Sequence, residues 1–424
     1  MKKKHLDINK VDKGLIVYNH YKEIEKYLKP YMTKQYYDGR ELLQHNSEYL
    51  MAFGEKSNGK STFFQMVLCI CWWLYGYQSV LLRLYDEDFK KGRAEKMFGG
   101  LPQYPNKNPK GKSFIANLTN DKYDTVVYTN YKYYFAKYDD KKGQYNMAEK
   151  PFCFRQCILN AGSSFQMPDV QLIFFDEFIR KDTMRNVPDE FVEFQTVIST
   201  IKRSKTTLQV FMAGNTVNYY SCYFTEFGIS KMVKSQKQGT ILDVSINDRG
   251  GTLSVEYCDT PEEKDKASDK YFVDSTKVNM IMNGAWQLDN YPHLPCKYKL
   301  KDIILTFFIK FDNTMFKCDF VCVDKKSKES EFHDVTGKEI KVTNTTMMFV
   351  YIQYPDEYTK IDYNSDIIYQ LEYDSRPNVN RYINVITYEW QRPIFEMFKT
   401  NKIFYQNNEI GDTIRAYLKQ CYNK

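Results

Sequence analysis

The chain has 424 residues, enough for two or three domains, and its 43% hydrophobic and 27% charged residues place it among folded globular proteins, excluding disordered and fibrous classes. Ten cysteines, among them the C-x-x-x-C pairs Cys153/Cys157 and Cys318/Cys322, and five histidines show no zinc spacing, so reduced thiols of a cytosolic protein are expected. The net charge of +7 permits a polyanionic partner, and because residues 297–424 are nearly balanced, such a partner should meet the first two-thirds of the chain.

The opening MKKKHLDINK is charged with no apolar stretch behind it, so it does not read as a signal peptide. Tyr49-Leu-Met-Ala-Phe53 reads as a buried strand. It runs into GEKSNGKST at 54–62, which fits G-x-x-x-x-G-K-[ST] with Gly54, Gly59, Lys60 and Ser61 in the required places. Thr62 to Tyr75 is apolar enough for a core helix. Strand, glycine loop and helix in that order aim backbone N–H groups and a helix N-terminus at phosphates. Lys60 is then expected on the β- and γ-phosphates of ATP and the Ser61 hydroxyl on Mg²⁺, with Lys56, Ser57, Asn58 and Thr62 completing the cradle. Residues 61–82 carry no formal charge over a length that could span a bilayer. Gly76 divides them into a helix over about 60–75 and a strand over about 79–85, so no membrane span is expected. That strand ends near Arg83, a candidate for nucleotide or for a carboxylate partner.

Residues 86–170 are too many for a plain connection. Two basic, Gly/Pro-rich loops hold Arg93, Lys107, Lys110 and Lys112, which are either contacts to a polyanion's phosphates or ordinary solvated cations. Tyr123 to Phe135 alternates in β fashion before a turn near Asp139 to Gly143, predicting an inserted β-hairpin over about 114–145. Gly162-Ser163-Ser164 is a further loop with backbone and hydroxyl donors.

Gln171-Leu-Ile-Phe-Phe-Asp176-Glu177 is an apolar strand ending in two carboxylates. Asp176 is expected to hold the magnesium and Glu177 to polarise the attacking water, a pairing suited to hydrolysis. A third strand, Thr207 to Ala213, ends in Gly214-Asn215. Its amide could sense the γ-phosphate or hold the lytic water, although Asn after Gly is also ordinary turn material. Together these strands predict a parallel α/β sheet with ligand at the strand C-termini. Residues 225–290 are polar and linker-like. From 297 onward, Ile303–Phe311, Met315–Val323 and Thr346–Tyr351 read as strands, with helices around 394–398 and 412–420. Asp312, Asp319 and Asp324 are acidic residues near these strands, and Asp312 and Asp319 read as plain strand-end and turn residues.

FFDEFIR and AGNTVNYYSCYF resemble the genome-packaging ATPases of phi29-like tailed phages, relatives of the terminases with an additional-strand (ASCE) P-loop fold. The spacing from the Asp-Glu pair through Pro188 to Gly214-Asn215 runs without a gap, and FYQNNEIGDTIRAYLKQ is similar to the family's chain end. The resemblance implies an ATPase domain over 1–225, a lid and linker over 226–296, and a C-terminal RNase H-like α+β domain over 297–424, degenerate as a nuclease and serving to dock the motor. It places Lys60, Ser61, Asp176, Glu177 and Asn215 in the site and makes Arg203 an arginine finger acting in trans. Lys56 stands where packaging motors often carry arginine, keeping the charge without the bidentate fork. The implied activity is ATP-driven translocation of double-stranded DNA into a preformed capsid. It would be carried out by a homomeric ring, a pentamer by resemblance, at the portal in the host cytoplasm, with a scaffolding RNA as a further candidate partner. A helicase-type nucleic-acid ATPase and a terminase with a live nuclease are the alternatives.

Overall fold

The computed structural model describes residues 15–90, 92–104, 112–159, 170–179, 189–202, 207–216, 221–261, 291–294, 298–324, 346–380 and 392–422. The chain divides into two compact units, Met1–Trp286 and Gln287–Lys424.

The first unit is built on a ten-stranded sheet. In chain order the strands are β1 (Tyr49–Gly54), β2 (Gln78–Arg83), a separate small ladder of β3 (Gln103–Tyr104) and β4 (Lys112–Ser113), then β5 (Thr125–Thr129), β6 (Lys132–Asp139), β7 (Gln144–Met147), β8 (Cys153–Cys157), β9 (Val170–Asp176), β10 (Gln209–Asn215), β11 (Thr240–Ser245) and β12 (Thr252–Tyr257). Across the sheet the order is β11-β12-β1-β10-β9-β2-β8-β6-β5, with β7 on β6. The run from β12 to β8 is parallel throughout. One strand, β10, lies between β1, which feeds the glycine loop, and β9, which ends in Asp176.

Alternation along the strands feeds two cores. Leu50, Ala52, Leu172 and Phe174 face the helix Lys60–Tyr75, whereas Met51, Phe53, Ile173 and Phe175 face the helix Glu190–Lys202. Covered on both faces, the central strands become near-continuous apolar runs, which is why they were legible as strands. The helix Lys60–Tyr75 is apolar on most sides and buried over most of its length, and it stops at Gly76. This glycine takes a left-handed φ of 73° and returns its N–H to Trp72 O at 2.8 Å. The uncharged stretch is thus a core helix and a sheet strand, and no described helix is long and apolar enough to cross a membrane.

Two expectations need correction. The predicted hairpin is three strands, because the run Tyr123 to Phe135 breaks at Asn130-Tyr131, whose φ angles of 48° and 64° make the two-residue turn between β5 and β6. The expected turn at 139–143 instead joins β6 to β7, and Phe114–Leu118 is helical. Through the β6–β8 pairing this piece forms an edge of the main sheet. Secondly, residues 240–257, expected within a lid and linker, are strands β11 and β12, and β12 lies parallel against β1 from Tyr49↔Leu253 to Phe53↔Tyr257. Leu253, Val255 and Tyr257 bury their side chains under the sheet, which holds the segment there. Residues 262–290 lie outside the described residues.

The second unit has a six-stranded sheet in the order β17-β16-β13-β14-β15-β18. Its strands are β13 (Ile303–Phe311), β14 (Thr314–Asp324), β15 (Thr346–Gln353), β16 (Ile368–Gln370), β17 (Val379–Asn380) and β18 (Ile403–Tyr405). β13, β14 and β15 are antiparallel, while β16 joins β13, β17 joins β16 and β18 joins β15 in parallel. Met397 and Phe398 of the helix Arg392–Lys399 and Ile410, Ile414 and Tyr417 of the helix Asn408–Tyr422 close the core over Phe307, Ile309, Cys318 and Val350.

Candidate functional site

The glycine loop leaves β1 and turns into the helix Lys60–Tyr75 through two left-handed residues, Ser57 with φ 63° and Gly59 with φ 98°. Gly59 is needed there for φ and for space, since a Cβ would lie 3.2 Å from Tyr36 Cβ. Lys60 is buried, and its Nζ donates to Glu55 O at 2.6 Å and to Asn58 Oδ1 at 3.0 Å. Burial pulls the pKa of this ammonium below the ordinary lysine value, while the nearby Cys258, Glu55 and Asp176 oppose the shift. Lys56 and Ser57 are exposed at the mouth.

β9 and β2 deliver the charged half of the site side by side. Asp176 is 3% exposed, accepts from Ser61 Oγ at 2.6 Å, and pairs through its other oxygen with Arg83 Nη2 at 2.6 Å. Arg83 Nη1 pairs with Glu177 Oε2, also at 2.6 Å. Burial raises the Asp176 pKa, with Arg83 and Ser61 working against it. Burial also works against the Arg83 charge, but the two carboxylates outweigh it and hold its pKa above the usual arginine value. Arg83 is thus a bridge between the carboxylates and is not among the residues lining the nucleotide-sized cavity. Glu177 is 57% exposed and left-handed at φ 59°, a conformation that costs a non-glycine residue on the order of 1 kcal/mol or more. Phe178 N–H donates to Ala213 O at 3.2 Å and holds the backbone immediately after that strained residue.

A cavity of about 480 Å³ opens over the loop. Lys56, Ser57, Asn58, Gly59, Lys60, Ser61 and Thr62 form its floor, and Glu177 and Asn215 reach it from the strand ends. Asn215 arrives because β10 pairs with β1 in the register Gly54↔Asn215, with Thr216 N–H donating to Gly54 O at 2.9 Å. Gly214 suits the close crossing, since a Cβ there would meet Phe178 and Ile179 side-chain carbons at 2.8–2.9 Å and force them to shift. The chemistry of the donors suits Mg²⁺, a hard ion that takes one or two protein oxygens and keeps its waters: the Ser61 hydroxyl and the Asp176 carboxylate already meet beside the cavity.

Of the remaining candidates, Arg203, Lys107 and Lys110 lie outside the described residues, as does Gly162-Ser163-Ser164. Arg93 is exposed on a short helix, with Nη1 3.3 Å from Glu87 O, and Lys112 lies in β4. The cavity also has a wall that sequence reasoning missed: Tyr31, Met32, Tyr36 and Tyr37 before β1, and Gly100 and Pro102 after β2. The only local signal was the aromatic pair Tyr36-Tyr37 before Asp38-Gly39, and nothing in it points to the loop.

In the second unit Asp319 is fully buried and accepts from Thr306 Oγ1 at 2.8 Å, Tyr298 OH at 3.1 Å and Gln353 Nε2 at 3.1 Å, with Lys317 Nζ at 3.6 Å. Its lone pairs are committed to the sheet. Asp312 sits in the left-handed turn between β13 and β14, with φ 51°, and Asp324 ends β14. Among the described residues no cluster of three or more metal-ligating side chains occurs.

Residues 152–348 match the family model of the Podovirus DNA encapsidation protein (Gp16). The matched stretch holds Asp176, Glu177 and Asn215, and the glycine loop lies upstream of it. Two solved structures are similar over nearly their whole length: the Phi-28 gp11 DNA packaging motor (13% identity, TM-score 0.51, 92% of this chain and 98% of that one) and the bacteriophage Phi-29 viral genome packaging motor assembly (15%, 0.51, 91% and 98%). At these identities the likeness is one of fold. No curated protein sequence matches the chain. The resemblance to the encapsidation family read from FFDEFIR and AGNTVNYYSCYF therefore rests on a family match as well as on motifs.

Proposed function

We propose that the chain is an ATP-hydrolysing motor that drives double-stranded DNA into a phage capsid. The observation that carries this reading is the meeting of Ser61 with Asp176 at 2.6 Å beside a cavity floored by the glycine loop, in a chain matching the encapsidation family.

Lys60 Nζ is held by two loop oxygens, and the phosphate oxygens of ATP take their place when nucleotide enters. Ser61 and Asp176 would hold Mg²⁺, which would supply charge neutralisation on the phosphates. Glu177, on the cavity side of Asp176, orients and polarises the attacking water, and Asn215 stands within reach of the γ-phosphate from the neighbouring strand. Arg83 favours the ionised form of Asp176 against its burial and pairs with Glu177. Tyr36, exposed at the cavity wall, offers an aromatic face to the base. Arg203 acts on the nucleotide of the next subunit in a homomeric ring at the portal, a pentamer with a scaffolding RNA by resemblance. Arg93, Lys107, Lys110 and Lys112 supply sequence-independent contacts to DNA phosphates.

The strand order of the second unit, three antiparallel strands extended by parallel ones, supports an RNase H-like reading. Its β13 carries no carboxylate from Ile303 to Phe311, and Asp319 is committed to neighbours, so docking without cleavage is its role.

The test is ATPase activity with and without double-stranded DNA. DNA should stimulate the wild type, and Glu177→Gln should lower turnover about 10²-fold or more while leaving ATP binding intact. Absence of ATP turnover with DNA present, or strand separation in place of translocation, would overturn the reading.

A further inference from the structure

We infer that Glu256 of β12 is a positioning residue for the nucleotide site, acting through Tyr37 on the phosphate loop. This deepens the nucleotide reading and rests on it.

Tyr37 is held at both ends. Its backbone N–H donates to Asn58 O in the loop at 2.6 Å, and its hydroxyl donates to Glu256 Oε2 at 2.5 Å. Between those anchors the ring packs edge-on against Phe63, with centroids 5.3 Å apart and planes at 77°, and forms part of the cavity wall. The fit is close: a Cβ on Gly39 would come within 2.6 Å of both Tyr37 OH and Phe63 Cε1. Asn58 in turn accepts from Lys60 Nζ through Oδ1 at 3.0 Å, so the chain of contacts runs Glu256, Tyr37, Asn58, Lys60. β12 is therefore tied to the lysine that grips phosphate through side chains as well as through its backbone ladder with β1.

Glu256 has the chemistry for this task. Its strand neighbours across the ladder are Ala52 and Ile241, so no cation is built beside it in the sheet. Burial raises its pKa to about 7; the Tyr37 bond works against that, Glu41 and Asp38 push it further up, and His45 pulls it down. Cys258, just past the end of β12, and Lys60 across the loop are the other titratable groups that it influences. A hydroxyl-to-carboxylate bond of 2.5 Å lies in the charge-assisted range, so the anchor tightens as Glu256 ionises. Nucleotide affinity should accordingly rise with pH through about 7.

The experiment measures kcat and KM for ATP across about pH 6 to 8 in the wild type, Tyr37→Phe, Glu256→Ala and Glu256→Gln, with thermal melting to confirm folding. Tyr37→Phe, which keeps the ring on Phe63, and Glu256→Ala are expected to raise KM about five- to tenfold with a much smaller change in kcat. Glu256→Gln keeps an acceptor for the Tyr37 hydroxyl, so it should retain most of the affinity but lose the protein's part of the pH dependence. Taking the difference from the wild type removes the ionisation of ATP itself. A KM within twofold of wild type for Tyr37→Phe, or a Glu256→Gln profile that superimposes on the wild type, overturns the inference. Failure of the wild type to turn over ATP instead overturns the reading of the site.

Discussion

A carboxylate as buried as Asp176 survives in charged form only with a counter-ion, and Arg83 at 2.6 Å is that ion. Removing it leaves Asp176 to take a proton or stay charged without its main partner. Arg83→Ala is expected to lower stability by on the order of 3 kcal/mol near neutral pH. Burial already raises the Asp176 pKa, and losing Arg83 raises it further. A folded-state pKa above the unfolded one means that the native state binds the extra proton, so the loss should shrink as pH falls towards the unfolded carboxylate range. Denaturant melts of both proteins near neutral pH and in mild acid check this; an equal loss at both would mean that Arg83 contributes by packing alone. Glu177 shares the same guanidinium but is mostly exposed, so its half of the bridge adds orientation more than stability. Arg83 is legible in the sequence as a cation at a strand end, with nucleotide or a carboxylate as its partner. That it bridges two carboxylates depends on β2 lying directly beside β9, a tertiary fact without a local signature.

At the scale of the element, tight crossings decide which residues can stand at the strand ends. Gly214→Ala places a methyl against Phe178 and Ile179, the two residues after Glu177. The expected cost is about 1–3 kcal/mol together with a fall in kcat, because relief of the overlap moves the segment carrying Glu177, for which the catalytic role is proposed. A melting curve and a kcat measurement on the same preparation separate the two effects, and an unchanged kcat would show that the overlap is absorbed elsewhere. Glu256 gives the element-scale pH effect. Its pKa of about 7 lies above the ordinary glutamate value, so stability falls as pH rises from about 4.5 to 7. Glu256→Gln should therefore be the more stable protein above pH 7, by up to about 3 kcal/mol in a denaturant melt. Strands β1, β9, β10 and β13 were legible because they are apolar runs bounded by glycine or charge. β11 and β12 are hard to tell from linker in the sequence because they mix apolar residues with Thr, Ser, Asp and Glu. The signal was present: Leu253, Val255 and Tyr257 alternate, and Asn247-Asp-Arg-Gly-Gly251 is turn chemistry between two such runs. The aromatic wall over the loop was not readable, since Tyr37 reaches Glu256 across 219 positions of chain.

At the scale of the whole molecule, the cations described at the proposed site all come from this chain, and Lys56 is exposed on the glycine loop where it lines the cavity. Lys60 is in the loop and Arg83 is bound to the two carboxylates. Arg203 follows the helix Glu190–Lys202, and in the proposed ring it completes the next subunit's site. A stoichiometric test follows from that geometry. Each active interface needs an intact Glu177 on one subunit and an intact Arg203 on its neighbour. Glu177→Gln and Arg203→Ala rings should each be inactive in DNA-stimulated hydrolysis. An equal mixture of the two proteins joins an Arg203→Ala subunit to a Glu177→Gln neighbour in the productive order at about one interface in four, restoring about that fraction of wild-type turnover. Were Arg203 to act on its own subunit's nucleotide, no mixture would recover any activity, because every subunit would still carry one inactive group. The recovered fraction in mixed rings, measured against the two pure variants, thus reports directly on whether the catalytic arginine crosses the subunit boundary.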